Sequence, residues 1–255
     1  THCPHEPTAP HAASPRPERP SRPSRTPRAE HRVIAAPSAV PFWSPEEIAA
    51  SLRESLVHLQ GGGVLAYPTE TVYGFGTAID HESVETLVRL KSRPPFKPFL
   101  LLVAGSDMLA RLGLHLTPSA SRLAARHWPG PLTLVLPGGE RRVPDRLRGP
   151  EGGIAVRWTP HEGLTRLIRT LGDAITSTSA NRPGVPPAMS AAEIVAQWPD
   201  AINRGILRVL DGGRIPPSHP STVVDCTGRH PRVIRRGAIP AAILRESAPD
   251  LVGDC

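Results

Sequence analysis

The chain has 255 residues, with 30 Lys or Arg against 23 Asp or Glu, a net charge of +7 and a hydrophobic fraction of 39%. That length can bury a core as one large domain or two small ones. No run reaches 18 apolar residues, which excludes a membrane-spanning helix, and Cys3, Cys226 and Cys255 are too scattered for a metal spacing or a disulfide framework; a reducing, cytoplasmic setting is expected.

Residues 1–41 read as a disordered Pro/Arg-rich extension. The first forty carry nine prolines, and six arginines against Glu6, Glu18 and Glu30, with almost no bulky apolar side chain to offset the entropy of ordering. A folded domain is expected over 42–245 and a short tail over 246–255. Ser44-Pro45-Glu46-Glu47 is a helix start: Ser as cap, Pro in the first turn, Glu three residues after the cap. Ile48, Leu52, Leu56 and Leu59 give that helix its apolar stripe, and Gly61 stops it.

Val64–Tyr67 follows the glycine run 61–63 as a buried strand, and Pro68 ends it. The loop from Thr69 to Gly76 then sets hydroxyls and the carboxylate of Glu70 at a strand end, where binding groups tend to gather. Tyr67 and Tyr73, the two tyrosines of the chain, lie in this stretch. A helix over about 82–91 delivers the basic turn from Lys91 to Pro98. That turn holds the two lysines of the chain, Lys91 and Lys97, against 28 arginines in the whole sequence. A compact ammonium and a planar guanidinium are not interchangeable, so the pair points to a cationic loop.

Further strands are expected at 99–103, 132–136, 154–158, 174–177, 206–210, 221–225 and 232–237, and helices near 106–112, 118–127, 161–171 and 190–198. Their interleaving predicts one α/β domain with a mostly buried sheet. The irregular spacing argues against a regular barrel or a strict doubly wound order.

Several familiar chemistries are missing. The glycines at 61–63 are not followed by Gly-Lys-Ser/Thr, no GxGxxG opens a helix, and there is no GxSxG elbow or HExxH pair. What remains at strand ends is Thr69, Thr71, Lys91, Arg93, Lys97, Thr133, Arg157, Ser179, Asn181 and Arg235. Cations neutralise phosphates, and hydroxyls and carboxamides orient neutral or zwitterionic ligands. The set suits transfer between phosphate and carboxyl groups by positioning and charge stabilisation, without a protein nucleophile. The competing reading is an RNA-binding module whose basic surface holds tRNA or double-stranded RNA by its backbone.

Six segments in order carry a resemblance: Pro68-Thr69-Glu70-Thr71-Val72-Tyr73-Gly74, Lys91-Ser92-Arg93-Pro94, Trp128-Pro129-Gly130-Pro131-Leu132-Thr133, Ile154-Ala155-Val156-Arg157, Ser179-Ala180-Asn181, and Ser221-Thr222-Val223-Val224-Asp225 with Ile234-Arg235-Arg236-Gly237. Over about 45–240 the chain resembles the YrdC-like family of threonylcarbamoyl-AMP synthases, in its single-domain form. The resemblance implies a twisted, open, mixed α/β sheet with flanking helices around a large concave basic cavity. It implies a nucleotidyltransferase that joins L-threonine, bicarbonate and ATP, with Mg²⁺ on the ATP phosphates, into threonylcarbamoyl-AMP and pyrophosphate. Partner transferase proteins then use that product to modify tRNA beside the anticodon.

Carried onto this sequence, the resemblance makes Lys91 and Arg93 catalytic. It gives ATP to Lys91, Arg93, Lys97, Arg157, Ser179, Asn181 and Arg235, and L-threonine to Thr69, Thr71, Thr133 and Ser179. Glu70 receives no role. The chain departs from the family pattern at Lys97, where many members carry Asn, at Leu102, where many carry a His that contacts threonine, and at His219-Pro220, where a Gly-x pair is usual.

Overall fold

A computed structural model describes residues 39–94 and 97–253; the expectation of disorder for residues 1–38 lies outside them. The first strand, β1 (Val40–Pro41), falls inside the segment read as extension, so the ordered body starts before Phe42. Helix α1 (Pro45–Gln60) begins as its sequence dictates. Ser44 Oγ accepts from the Glu47 N–H, and the Glu47 carboxylate accepts from the Ser44 N–H. Such a reciprocal cap is worth about 1 kcal/mol.

Strand β2 (Val64–Tyr67) is wholly buried and leads into the hydroxyl loop. That loop is not irregular throughout: Gly74–Gly76 forms β3, antiparallel to β2. Its glycines permit a close approach, since a Cβ on Gly76 would lie 2.1 Å from the Thr176 carbonyl oxygen. Helix α2 (His81–Lys91), capped by Asp80, ends on Ser92 in a left-handed conformation with φ 47°. The chain continues through β4 (Leu100–Val103), α3 (Asp107–Arg111), α4 (Pro118–His127), β5 (Leu132–Leu136), β6 (Ile154–Trp158), α5 (Glu162–Leu171) and β7 (Ile175–Ser179). It closes with α6 (Ala191–Gln197), α7 (Pro199–Asn203), β8 (Leu207–Asp211), β9 (Thr222–Asp225), β10 (Arg232–Arg235) and α8 (Ala241–Ser247).

The strands make one mixed sheet in the order β1-β8-β2-β3-β7-β4-β6-β5-β9-β10. The pairs β1/β8, β2/β8, β4/β6 and β5/β9 are parallel, and the others are antiparallel. Helix α1 packs on β2 and α5, α4 on β5 and α8, and α6 on β2 and β8. Phe42, Tyr67, Tyr73, Phe75 and Phe99 are the largest fully buried side chains at the centre; burying each phenylalanine contributes roughly 1.5–3 kcal/mol. Leu102, at the departure noted above, is fully buried in β4. No described helix is long and apolar enough to cross a membrane.

The segment after 245 is not a loose tail. Helix α8 runs across that boundary, and Leu244, Ala248 and Leu251 are buried. Asp250 accepts from Ser119 Oγ at 2.7 Å and pairs with Arg122 at 3.2 Å, tying the segment to α4. The boundary at 245 cuts this helix, which begins on Pro240 without a side-chain cap.

Candidate active site

Beyond the C-terminal end of β2 a cavity of about 640 Å³ opens between the hydroxyl loop, the 93–98 loop and the ends of β5, β6 and β7. Thr69, Thr71 and Thr133 stand on its wall, together with Ser179. So do four cations, Arg93, Lys97, Arg157 and Arg235. Eight of the ten side chains expected from sequence therefore converge on one space.

The hydroxyl end is wired through its own loop. Thr69 Oγ1 accepts from the backbone N–H groups of Thr71 and Val72, both at 3.1 Å, and donates its one hydrogen to the Val72 carbonyl at 2.7 Å. The Thr71 hydroxyl, 3.0 Å away, must then be the donor to Thr69. Arg157 Nη1 donates to Thr71 Oγ1 at 3.2 Å. The carboxylate of Glu70 lies behind this arginine: Oε2 accepts from Thr159 Oγ1 at 2.8 Å, and Oε1 sits 3.6 Å from Arg157 Nη1. Oε1 is buried with no hydrogen-bond partner. Its energetic role is the charge it sets against Arg157, itself 4% exposed. Glu70 thus braces Arg157.

The cationic end is wired across the sheet. Arg93 donates from Nε to the Lys97 carbonyl at 2.6 Å and from Nη2 to the Pro98 carbonyl at 2.7 Å. Its Nη1 reaches Thr178 Oγ1 at 3.0 Å. Two of its donors thus hold Lys97 and Pro98, and the third reaches β7. Burial, with the neighbouring charge of Arg146, pushes the Arg93 guanidinium down to about 10, leaving it cationic at neutral pH. Arg235 donates to the Ser221 carbonyl at 2.8 Å and to Ser221 Oγ at 3.0 Å, and Ser221 Oγ meets Thr133 Oγ1 at 2.8 Å.

Lys91 and Asn181 stand behind the wall rather than on it. Lys91 is 6% exposed, and its ammonium donates to the Ser179 carbonyl at 2.8 Å, to Asn181 Oδ1 at 2.9 Å and to the Asn181 carbonyl. An ammonium has three donors, and all three are taken. In this arrangement Lys91 braces the Ser179–Asn181 turn. Asn181 is likewise occupied: Oδ1 also accepts from Ser179 Oγ at 2.7 Å, and Nδ2 donates to the Val185 carbonyl at 2.6 Å. Burial, then the charges of Arg93 and Lys97, push the Lys91 ammonium down to about 8.

Sequence reasoning passed over Ser221, Ser218 and Thr178. Ser221 opens a quoted motif yet received no role; it holds Arg235. Ser218 Oγ donates to the Thr71 carbonyl at 2.6 Å, so the proline-rich 215–220 loop ties back to the hydroxyl end. Tyr67 and Tyr73 are core braces. Tyr67 Oη donates to the Thr176 carbonyl at 3.0 Å, and Tyr73 Oη donates to the Gly213 carbonyl at 2.7 Å.

The arrangement can hold an anion of several charges at the arginine and lysine end and a small hydroxyl- or amine-bearing molecule at the threonine end. Comparison with known proteins gives this geometry a family. The Sua5/YciO/YrdC family model, described as "Telomere recombination", matches residues 57–237. A threonylcarbamoyl-AMP synthase of Pyrococcus abyssi is 35% identical over 190 residues, covering 74% of this chain and 54% of that protein. This chain thus spans about half the length of that archaeal relative. A bacterial protein of the same name, from Nitrosococcus oceani, is 40% identical over 161 residues, covering 63% of this chain and 86% of its own length. Among solved structures, P. abyssi Sua5 complexed with L-threonine superposes with a TM-score of 0.74 at 30% identity, covering 84% of this chain and 62% of that one. Escherichia coli YciO gives 0.69 at 25% identity, with coverage of 80% and 96%. The chain belongs to the Sua5/YciO/YrdC family.

Proposed function

We propose that this protein is a threonylcarbamoyl-AMP synthase, a nucleotidyltransferase working on L-threonine, bicarbonate and ATP. The observation that carries the reading is the two-ended cavity. Hydroxyls fixed by Arg157 stand on the wall with Arg93 and Lys97 on its β7 side, and with Arg235, Thr133 and Ser221 on its β5/β9 side. Relatives named for this activity cover the same stretch of chain, and a solved relative holds L-threonine.

In this reading the threonine amine and bicarbonate condense to a carbamate with loss of water. A carbamate oxygen attacks the α-phosphorus of ATP, and the bond from that phosphorus to the bridging oxygen breaks, releasing pyrophosphate. Arg93, Lys97 and Arg235 neutralise charge on the phosphates; a donor set ahead of the reaction in this way typically supplies about 3–4 kcal/mol. Thr69, Thr71 and Thr133 orient the amino acid. Lys91 acts as a positioning residue, holding Ser179 through its carbonyl. The wall offers hydroxyls, guanidiniums and one ammonium, and no carboxylate oxygen faces the cavity to hold a metal. Mg²⁺ therefore enters on the ATP phosphates as part of the substrate. The product is the donor that tRNA-modifying transferases place on the adenosine beside the anticodon.

The test is pyrophosphate release by the purified protein given ATP, Mg²⁺ and bicarbonate, with and without L-threonine. Release is expected only with threonine, alongside a product of the mass of threonylcarbamoyl-AMP. Threonine-independent release, or none, overturns the reading.

A further inference from the structure

At the opposite end of β2, before Val64 rather than beyond Tyr67, a second cavity of about 600 Å³ opens. It lies where the parallel strands β2 and β8 begin, against the Gly61–Gly63 turn and Ile206. Its charged side chains are Arg89, Arg182 and Arg204, with Asp200 the one carboxylate on the wall. Nothing in the proposed synthase chemistry uses this space.

These three arginines share a wall with a single carboxylate and carry no ion pair among the described residues. Elsewhere Arg111, Arg122, Arg146, Arg148, Arg157, Arg208, Arg214 and Arg232 are each within ion-pair distance of a carboxylate. Among the described residues no such pair involves Arg89, Arg182 or Arg204. Arg89 donates only to Thr86 Oγ1 at 3.1 Å, and Arg182 only to the Gln197 carbonyl at 2.8 Å, so most of their N–H donors are uncommitted. The wall also contains Trp198, 6% exposed, whose indole Nε1 is buried without an acceptor. Its ring face is covered by the Arg182 guanidinium at 4.5 Å and its ring meets Phe75 edge-on, so it offers no stacking platform for a base.

The N–H groups of Gly61, Gly62, Gly63, Gly205 and Ile206 are all spent on turn carbonyls. The guanidinium forks carry the charge, and their geometry matches the paired oxygens of a phosphate. We infer that this second cavity binds a phosphate-bearing anion through Arg89, Arg182 and Arg204. The anion is either a free phosphate species or the phosphodiester backbone of an RNA; the occupied tryptophan face makes the RNA contact independent of base identity.

Its position links it to the first cavity. Arg89 lines the second cavity and Arg93 the first, and between them Lys91 bonds to Asn181, the neighbour of Arg182. The two anion sites lie back to back on one brace. The inference stands independently of the synthase reading, because none of its residues belongs to that cavity.

The experiment is calorimetric titration of the full chain with inorganic phosphate and, separately, with an RNA hairpin at several salt concentrations. It compares the wild type, the double variant Arg89→Gln/Arg204→Gln, and Arg235→Gln as a first-cavity control. Both substituted positions of the double variant are exposed, so an unchanged melting temperature checks the fold. The double variant is expected to lose on the order of tenfold affinity for at least one probe, and Arg235→Gln to retain that component. If the RNA component falls and the slope of log K against log salt drops by about 2, the occupant is an RNA backbone. Loss confined to inorganic phosphate assigns a free anion. Wild-type binding of both probes by the double variant, or no binding of either by the wild type, overturns the inference.

Discussion

The two ends of the first cavity are built in opposite ways. At the hydroxyl end, Thr69, Thr71 and Val72 satisfy one another within a single turn that follows directly from β2, and Arg157 and Ser218 join it from far along the chain. At the cationic end, apart from the Arg93 bonds to the Lys97 and Pro98 carbonyls, the braces are long-range. Lys91 reaches residues 88 and 90 positions away to hold the Ser179–Asn181 turn, and Arg93 reaches Thr178, 85 positions away. A turn that closes on itself has little more order to lose than it loses on folding. A wall assembled across β3, β7 and α2 depends on each brace. The hydroxyl end is therefore the more tolerant of single substitutions, and the cationic end the more fragile.

The largest effect is expected at Lys91. Lys91→Ala strands two backbone carbonyls and a carboxamide that were bonded to one buried ammonium, at a cost of about 3 kcal/mol in stability. Turnover is expected to fall at least a hundredfold in the pyrophosphate assay. Lys91→Arg should not restore it, because a planar fork cannot meet three convergent acceptors. A Lys91→Arg variant with wild-type turnover would show that the brace is not what holds this end.

The pH dependence follows from the same group. Its folded value of about 8 lies below the ordinary 10.5 because burial and the neighbouring cations disfavour the charge. Turnover should thus decline as pH rises through about 8, when Lys91 loses its proton. The linked stability moves the other way. Between the folded and unfolded values the unfolded chain holds more protons, so this residue's contribution grows with pH over that window. A pH–rate profile beside melting curves at pH 7, 8 and 9 separates the two.

An intermediate effect is expected at Glu70. Glu70→Gln keeps a partner for Thr159 but removes the charge facing Arg157, so the arginine and the Thr71 hydroxyl it holds should loosen. The KM for threonine should rise on the order of tenfold, with kcat changed less, a loss near 1.4 kcal/mol. An unchanged KM would mean that the turn orders itself without the carboxylate, sharpening the contrast between the two ends. The smallest effect is expected at Thr133→Val, which removes one hydroxyl from the Ser221 pair. A loss of about 1 kcal/mol, or some fivefold in kcat/KM, is anticipated.

The same contrast explains what could be read from the sequence. Long elements with clear punctuation were legible: the Ser44 capping box, the apolar stripe of α1 and the four-residue strand before Pro68 all stand where patterning puts them. Gly74-Phe75-Gly76 was read as loop because two glycines hide the alternation of a strand; its place is set by partners on both sides, β2 and β7. Helices α7 and α8 are short and start on Trp198 and Pro240 with no side-chain cap, so no start signal announces them. In the site, motif order assembled the wall but could not distribute its roles. Whether the Lys91 ammonium faces a phosphate or the Asn181 carbonyl depends on the approach of β7, and the partner of Glu70 is set by the pairing of β4 with β6, which brings Arg157 alongside.

The scarcity of lysine in this chain has a practical side. Its two lysine amines both stand at one cavity, Lys97 exposed on the wall and Lys91 sealed behind it. Reductive methylation with ¹³C-formaldehyde would therefore mark a single accessible lysine, giving one dimethyllysine resonance beside that of the α-amine, which its different pKa sets apart. Its chemical shift would follow the arrival of each substrate in turn, so the order of binding could be read without changing any residue.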